Sequence, residues 1–331
     1  MSDKPAEKVA TTSYRKPGWN LIFGSQESTI LLVIILGGVA LTFISPYFLN
    51  ADNLLAVLLA ASFETTVAVG MTLLLISGGF DLSVGSTYAF SGVIVGILLK
   101  AGAGPLISVL AGLAAGAGVG YINGIIIAKI KVNPLITTLA MMSIIRGVVY
   151  VITRGLGVSN LPDTFNVIAQ AKVGGVVQTP IIIMIVLVVI FGLLFKYSVY
   201  FRQYFYIGGN EGAALYSGIK VVRLKIIAYV MSGTAAGLAG ILTAARMGGA
   251  LSTAGTGMEL RVITACIIGG CSLAGGEGSM WGSFLGVILM VLVANAFNLT
   301  GVSPYWQRTI YGSILLAAVL FDAIRRRRLQ G

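Results

Sequence analysis

The sequence predicts an all-α integral membrane protein with about ten transmembrane helices, and three observations lead to this fold class. First, 57% of the 331 residues are hydrophobic and only 10% are charged, whereas a soluble domain has about 25% charged residues. Second, apolar runs repeatedly reach the ~20 residues that a helix needs to cross a ~30 Å hydrocarbon core. Third, the first 27 residues are polar and lack the apolar stretch of a secretory signal, so a cytoplasmic tail is expected there.

Each helix follows from the length of an apolar run between polar, glycine or proline breaks. The predicted helices cover residues 28–46, 53–77, 84–99, 105–127, 135–153, 179–197, 226–247, 259–272, 280–298 and 306–323. They form one transmembrane domain, residues 28–324, between the N-terminal tail (1–27) and a basic C-terminal tail (325–331).

The distribution of Lys and Arg predicts the orientation of the chain. An even number of helices places both termini on one side, and fifteen Lys and Arg residues fall in the tails and loops of that side. The opposite loops and helix flanks hold six, and Arg146 lies inside a predicted helix. Since cytoplasmic loops carry the excess of positive charge, both termini are expected in the cytoplasm. The net charge of +11 then reflects topology and does not indicate a nucleic-acid partner.

Glycine stripes mark two of the predicted helices. They consist of Gly112, Gly116, Gly120 and Gly124 in the fourth helix and of Gly233, Gly237 and Gly240 in the seventh. Residues four apart share one helix face. In lipid such a face lets another backbone approach closely, whatever the protein does. The stripes therefore predict close helix contacts and specify no function.

Two glycine-rich segments, GGFDLSVGS (78–86) and GGCSLAGGEGS (269–279), each end one predicted helix and start another. Glycine clustered with Asp, Ser or Glu at membrane depth is typical of broken helices, whose freed N–H and C=O groups must be buried in protein or line a polar cavity. An ancient duplication would explain the likeness of the two segments. The alternative is a pair of ordinary tight turns at the cytoplasmic surface.

Three charged side chains in or beside the predicted helices are candidates for function, because a charge in the membrane costs several kcal/mol unless it faces protein or water. Glu64 lies midway along the second helix, Arg146 midway through the fifth, and Asp81 in the first glycine-rich segment. Glu64 and Arg146 are expected either to form a structural ion pair or to contact a polar solute or its path. Asn123 and Thr138 are weaker pathway candidates, because such side chains mostly bond to backbone or neighbouring helices.

The composition also excludes several kinds of site. With no histidine in the chain, Ser-His triads and His-ligated metals are ruled out, and Cys266 and Cys271 alone cannot complete a tetrahedral zinc site. The two cysteines lie five residues apart in one apolar segment, too far along a helix axis for a disulfide, and are expected to be small buried residues. No G-x-x-x-x-G-K-[ST] phosphate loop occurs, so the chain is not expected to be an enzyme or to hold a cofactor, and ATP energy has to come from a partner.

The longest cytosolic loop, residues 198–225, contains the sequence IGGNEGAALYSGIKVVRLK. Its small residues predict a short helix that ends at a glycine, between two basic flanks. This segment has the features of a docking element. The alternative is a solvated helical hairpin with no partner.

Five motifs, in the same order along the chain, resemble the membrane subunits of ribose-type sugar ABC importers. They are GGFDLSVGS (78–86), Asn133-Pro134 with TTLAMMSIIRG (137–147), GGNEGAALYSGI (208–219), IIGGCSLAGGEGS (267–279) and NLTGVSPYWQ (298–307). The likeness covers roughly residues 40–325. It implies an ABC importer permease fold with broken helices, in the bacterial cytoplasmic (inner) membrane. Importers of branched-chain amino acids share part of this pattern.

The resemblance implies three partners and several functional residues. The partners are a cytosolic ABC ATPase subunit, a periplasmic or extracytoplasmic sugar-binding protein and a second permease chain, with a homodimer favoured over a heterodimer. The matching residues are Glu211, Ala213, Ala214 and Gly218 in a divergent E-A-A-x-x-x-G coupling loop, and Asp81, Ser83 and Gly85 in a segment that supports the translocation path. Glu64 belongs to none of the motifs, and is therefore the candidate for what is peculiar to this importer.

The expected function is import of a sugar or sugar-like solute. The loaded binding protein docks on the loops 154–179 and 248–258, and ATP drives the switch between states. The alternative is a secondary transporter in which Glu64 or Asp81 binds H⁺ or Na⁺. An intramembrane enzyme would need a cluster of catalytic groups, which the predicted helices do not contain. Pentoses, hexoses, inositols and sugar-like signals all stay open, because selectivity resides in the binding protein.

Overall fold

The computed structural model describes residues 26–330, which fold into thirteen α-helices, one π-helical turn and four two-residue strands. Residues 1–25 and 331 of the expected tails lie outside the described residues. Within the described part, seven helices are long and apolar enough to cross a membrane, and one apolar helix is shorter. The all-α membrane fold class is confirmed, whereas the count of ten transmembrane helices stays a prediction.

The first part of the chain forms five helices close to their predicted bounds. They are α1 (Gln26–Ile44), α2 (Ala51–Ile76), α3 (Val84–Lys100), α4 (Pro105–Gly124), which continues in a π-helical turn (Ile125–Lys129), and α5 (Pro134–Thr153). Proline starts α4 and α5, where its missing N–H group leaves no helical hydrogen bond unmade. Asn133 caps α5 by accepting a hydrogen bond from the Leu135 N–H group.

The second part contains eight helices, four of which have 11 residues or fewer. They are α6 (Asp163–Gln170), α7 (Thr179–Tyr197), α8 (Val199–Gly209), α9 (Glu211–Tyr216), α10 (Val221–Met247), α11 (Met258–Ile268), α12 (Met280–Leu299) and α13 (Pro304–Gln330). At 1.5 Å per residue, α11 is roughly 16 Å long, which is enough to cross only about half of the hydrocarbon core. The basic segment that was expected to form a C-terminal tail continues α13 as helix up to Gln330.

Helix α10 lies at the centre of the bundle, packed against α2, α3 and α4. The two predicted glycine stripes are part of this contact. A Cβ atom at Gly116 of α4 would lie 2.5 Å from the Gly233 carbonyl oxygen of α10, and one at Gly120 would collide with the backbone of Tyr229. The predicted close approach is therefore confirmed, and it is the two glycine-bearing helices that approach each other.

Short strands join two loops at the end of the bundle where α10 finishes. Strand β1 (Val158–Ser159) pairs antiparallel with β4 (Gly249–Ala250) and connects the two loops, while β2 (Lys172–Val173) and β3 (Val177–Gln178) form a hairpin within the first loop. The Leu161 N–H group also donates to the Gly248 carbonyl at 3.0 Å. The two loops that were expected to meet the binding protein thus form one surface. We term it the loop platform, residues 154–178 and 248–250.

Candidate translocation site and coupling loop

The first glycine-rich segment connects α2 to α3, and its polar side chains are buried against α4. Asp81 is 1% exposed, and its Oδ1 atom accepts hydrogen bonds from the Ser83 N–H group at 2.8 Å and the Ser83 hydroxyl at 2.6 Å. Asn123 of α4 donates through Nδ2 to Ser83 Oγ at 2.9 Å and to Asp81 Oδ1 at 3.5 Å. Three of the predicted pathway residues therefore form one group, which we term the break cluster (Asp81, Ser83 and Asn123).

The break cluster fixes the point where the helix pair is interrupted. Asp81 accepts from a backbone N–H group just before α3, where the first N–H groups of a helix lack partners within that helix. On the other side of the break, the Tyr229 hydroxyl of α10 donates to the Phe80 carbonyl at 3.2 Å. The freed backbone groups are thus bonded inside the protein, as a break at membrane depth requires.

Glu64 forms an ion pair, but with a different partner from the one considered in the sequence analysis. Its Oε1 atom accepts a hydrogen bond from Arg261 Nε of α11 at 2.8 Å, and the two side chains are 13% and 27% exposed. The Arg261 guanidinium lies 6.0 Å from the ring centre of Tyr311 in α13. An ion pair between Glu64 and Arg146 is therefore wrong. Arg261, counted above among the loops and flanks, is part of a polar centre between α2, α11 and α13.

Arg146 of α5 donates its hydrogen bonds to backbone carbonyls. Nη1 bonds to Ser252 at 2.8 Å and to Ala254 at 2.9 Å, and Nη2 bonds to Gly85 at 3.0 Å. Among the described residues no carboxylate oxygen lies within 4.0 Å of this guanidinium. Arg146 therefore connects three segments of backbone.

The chain between β4 and α11 runs down into the bundle along α3. A Cβ atom at Gly96 of α3 would lie 3.6 Å from Ala250, and one at Gly85 would meet the Gly255 carbonyl. The distance from Gly96 to Gly85 along α3 is about 16 Å at 1.5 Å per residue. We term residues 251–257 the re-entrant segment. It makes α11 the second part of a broken element, whereas the sequence predicted breaks at the glycine-rich segments 78–86 and 269–279 and none at 251–257.

The two glycine-rich segments contact each other at the C-terminal end of α2. The Gly276 N–H group donates to the Ile76 carbonyl at 2.9 Å. A Cβ atom at Gly275 would lie 2.8 Å from both the Gly208 and the Gly78 Cα atoms, and one at Gly208 would collide with the Ile76 carbonyl. The two segments and the end of α8 thus form a single glycine junction (Gly78, Gly208, Gly275 and Gly276).

The remaining candidates in the bundle have local roles. Thr138 is buried and donates to the Pro134 carbonyl of its own helix at 2.8 Å. Cys266 and Cys271 are both free and buried, as expected. Because α11 ends at Ile268, Cys271 folds back and places its sulfur 3.3 Å from the Ser283 hydroxyl. The argument from spacing along one helix therefore does not apply to the two thiols.

The expected coupling loop contains the short helix α9, followed by a glycine stop. Asn210 caps α9 by accepting from the Ala213 N–H group at 2.9 Å. Gly218 has a left-handed φ of +81°, a conformation that other residues adopt at a steric cost. The Gly218 N–H group donates to the Leu215 carbonyl at 3.0 Å and that of Ile219 to Ala214 at 3.1 Å. This pair of bonds is the Schellman pattern of a helix end.

The orientation of α9 separates its inner face from its outer face. Ala214 is 4% exposed and packs against the permease itself, whereas Leu215 is 60% and Tyr216 93% exposed. Glu211 pairs with Lys225 at the base of α10 at 2.5 Å. Beside α9 lies an open groove of about 750 Å³, partly lined by Tyr206 of α8. The large apolar side chains Leu215 and Tyr216 are exposed on the outer face of α9, while Ala213 and Ala214 line the wall of the groove.

A multi-pass bundle of apolar helices that encloses a polar centre, a buried break and a re-entrant segment is typical of membrane transport proteins. The chain belongs to the family described as branched-chain amino acid transport system / permease component, whose profile matches residues 53–319. The expected ABC permease architecture is confirmed. Members of such a family are transport subunits, which agrees with the prediction that the chain is not an enzyme.

Similar proteins match the chain over nearly its whole length. The L-arabinose ABC transporter permease protein AraH of Azospirillum brasilense is 36% identical over 327 residues, 99% of this chain and 95% of that protein. The L-arabinose transport system permease protein AraH of Escherichia coli K12 is 39% identical, covering 96% of this chain and 98% of that protein. The ribose import permease protein RbsC of Escherichia coli K12 is 38% identical with the same coverage. No solved structure shows a significant match.

Proposed function

We propose that this protein is the transmembrane permease subunit of an ABC importer that moves a sugar or sugar-like solute across the bacterial inner membrane. The observation that carries the proposal is the similarity, over 96% or more of the chain, to permeases of L-arabinose and ribose importers. A separate cytosolic ATPase supplies the energy and an extracytoplasmic binding protein delivers the solute. Two identical chains pair and form the translocation pathway between them. Both termini lie in the cytoplasm.

The solute path passes the ion pair of Glu64 and Arg261. The two side chains are partly exposed at a polar centre inside an apolar bundle, and charged groups form stronger hydrogen bonds to hydroxyl groups than neutral groups do. The pair carries no net charge, which suits a neutral sugar. The break cluster is too deeply buried to contact the solute directly, and it supports the path by holding the ends of α2 and α3.

The ATPase binds the outer face of α9. Tyr216 provides an exposed aromatic side chain of a type enriched among interface hot spots, Leu215 adds exposed apolar surface beside it, and Ala214 anchors α9 to the permease. Tyr216→Ala is expected to weaken binding of the purified ATPase about 30-fold, the equivalent of 2 kcal/mol. Tyr197→Ala, which removes an exposed tyrosine at the end of α7, is the matched control. Equal binding by both variants would place the interface elsewhere.

Transport by reconstituted protein tests the whole proposal. Proteoliposomes would contain the permease with its cognate ATPase, and would receive the cognate binding protein with labelled D-ribose or L-arabinose. Uptake is expected only with ATP on the ATPase side and with the binding protein present. Binding-protein-stimulated ATP hydrolysis is the second readout. Uptake driven by a H⁺ or Na⁺ gradient without ATP would instead establish the ion-coupled transporter.

A further inference from the structure

Arg146 is a charged residue in the interior of a membrane helix that bonds to backbone on two neighbouring elements. It lies at the thirteenth position of the 20-residue α5, and its guanidinium bonds to the re-entrant segment at Ser252 and Ala254 and to α3 at Gly85. A planar guanidinium can hold several acceptors in a fixed geometry, which an ammonium group cannot do. The arrangement therefore fixes two backbone segments relative to each other.

Toward the loop platform, the connection continues through Ser252. This residue is buried, and its hydroxyl donates to the Gly155 carbonyl of the platform at 2.8 Å. Two residues earlier, Ala250 pairs with Val158 in the strand pair that joins the two platform loops. Ser252 thus bonds to the platform with its side chain and to Arg146 with its carbonyl group. A displacement of the loop platform is therefore transmitted to Arg146 through the single residue Ser252.

Toward the membrane interior, the connection continues through the first turn of α3. Gly85 follows Ser83 of the break cluster by two residues, and the Ser86 hydroxyl donates to the Met142 carbonyl of α5 at 2.8 Å. The start of α3 is therefore held to α5 at two points, by Ser86 and by Arg146. A displacement of Arg146 acts directly on the break between α2 and α3.

We propose that Arg146 is a positioning residue that transmits the position of the loop platform to the break between α2 and α3. The proposal rests on the proposed function, together with the expectation from the sequence that the binding protein docks on the loops that form this platform. Coupling between two sites requires a contact that differs between the two states, and in this proposal that contact is the set of bonds from Arg146 to two separate segments. Arg146 itself does not bind the solute.

Hydrogen exchange in the permease alone, in lipid nanodiscs, tests the transmission without any partner. Ser252→Ala removes the bond to Gly155 and is expected to raise amide exchange in residues 81–87 about fivefold or more. An Arg146→Lys background keeps the positive charge but loses the planar guanidinium. In that background Ser252→Ala is expected to have no further effect on exchange at residues 81–87. Ser143→Ala, which removes a bond within α5, is the matched control and should leave exchange at 81–87 unchanged.

The proposal is overturned if Ser252→Ala does not change exchange at residues 81–87 when Arg146 is present, a result that does not depend on how well Arg146→Lys folds. It is equally overturned if the effect of Ser252→Ala is the same in both backgrounds.

In the complex with ATPase and sugar-loaded binding protein, Arg146→Lys should lower the ratio of stimulated to unstimulated ATP hydrolysis. An altered preference between D-ribose and L-arabinose with an unchanged ratio would mean solute contact. Absence of stimulation in the unmodified complex would refute the proposed function, while the exchange result still decides the role of Arg146.

Discussion

Exchanging the charges of Glu64 and Arg261 separates a structural role of this pair from a role in transport. Exposed ion pairs contribute about 0.2–1 kcal/mol, whereas removing one partner of a buried pair costs about 3–5 kcal/mol. With side chains that are 13% and 27% exposed, Glu64→Gln is expected to cost about 1–3 kcal/mol. That corresponds to a roughly 5- to 150-fold lower ratio of folded to unfolded protein.

The assay combines unfolding by SDS, followed by circular dichroism, with uptake of labelled sugar in proteoliposomes. Four proteins are compared with the unmodified chain: Glu64→Gln, Arg261→Gln, the double variant, and the swap of Glu64→Arg with Arg261→Glu. The swap should recover most of the lost stability because the attraction is restored. Uptake should nevertheless stay low, because the carboxylate now lies on α11. Asp52→Asn, an exposed carboxylate at the start of α2, is the control.

Two results would refute the reasoning. If the swap restored uptake together with stability, the pair would be a structural bridge and the solute path would lie elsewhere. If Glu64→Gln changed neither stability nor uptake, the 2.8 Å contact would have no energetic importance at this site.

Three further predictions concern topology, packing and the break cluster. A cysteine at Leu329 should be protected from a membrane-impermeant thiol reagent in intact cells while one at Asn160 reacts, and the reverse labelling would invert the topology. Gly120→Leu should lower the yield of folded protein because α10 backbone lies against it, whereas Gly118→Leu, with no atom within 4 Å of its Cβ position, should be tolerated; equal yields would contradict the packing. Asp81→Asn should cost about 1.5–3 kcal/mol in SDS unfolding because two Ser83 donors lose a charged acceptor, and an unchanged midpoint would mean that this carboxylate does not hold the break.

The helices could be predicted from the sequence because a run of apolar residues reports directly on the length of chain buried in lipid. The glycine stripes predicted the helix packing equally well. A periodic row of small residues lets another backbone approach closely, and α4 and α10 make that contact with each other. The re-entrant segment could not be predicted in this way. Apart from Leu251, its residues are small or polar, and the only local signal is glycine at positions 255 and 257, both with positive φ.

The candidate site was harder to predict because it depends on packing between distant parts of the chain. Glu64 and Arg261 are 197 residues apart, and nothing in the spacing favours Arg261 over Arg146 as the partner. The break cluster was easier, since Asp81 and Ser83 are local and only Asn123 comes from another helix. In α9, six residues are too few to show a periodic pattern, so the inward position of Ala214 appears only in the structure.

The glycine junction has a consequence for how this protein can evolve. Gly208 and Gly275 have no room for a side chain, and Gly78 and Gly275 adopt left-handed φ angles of +78° and +89°. These residues lie in three separate segments, so a larger residue in one segment cannot be compensated by a smaller residue in another, because glycine is already the smallest. Mutational drift at the junction is therefore blocked in all three segments at once. Functional descendants of this chain are expected to keep glycine at positions 78, 208 and 275 even where the surrounding apolar residues have been replaced.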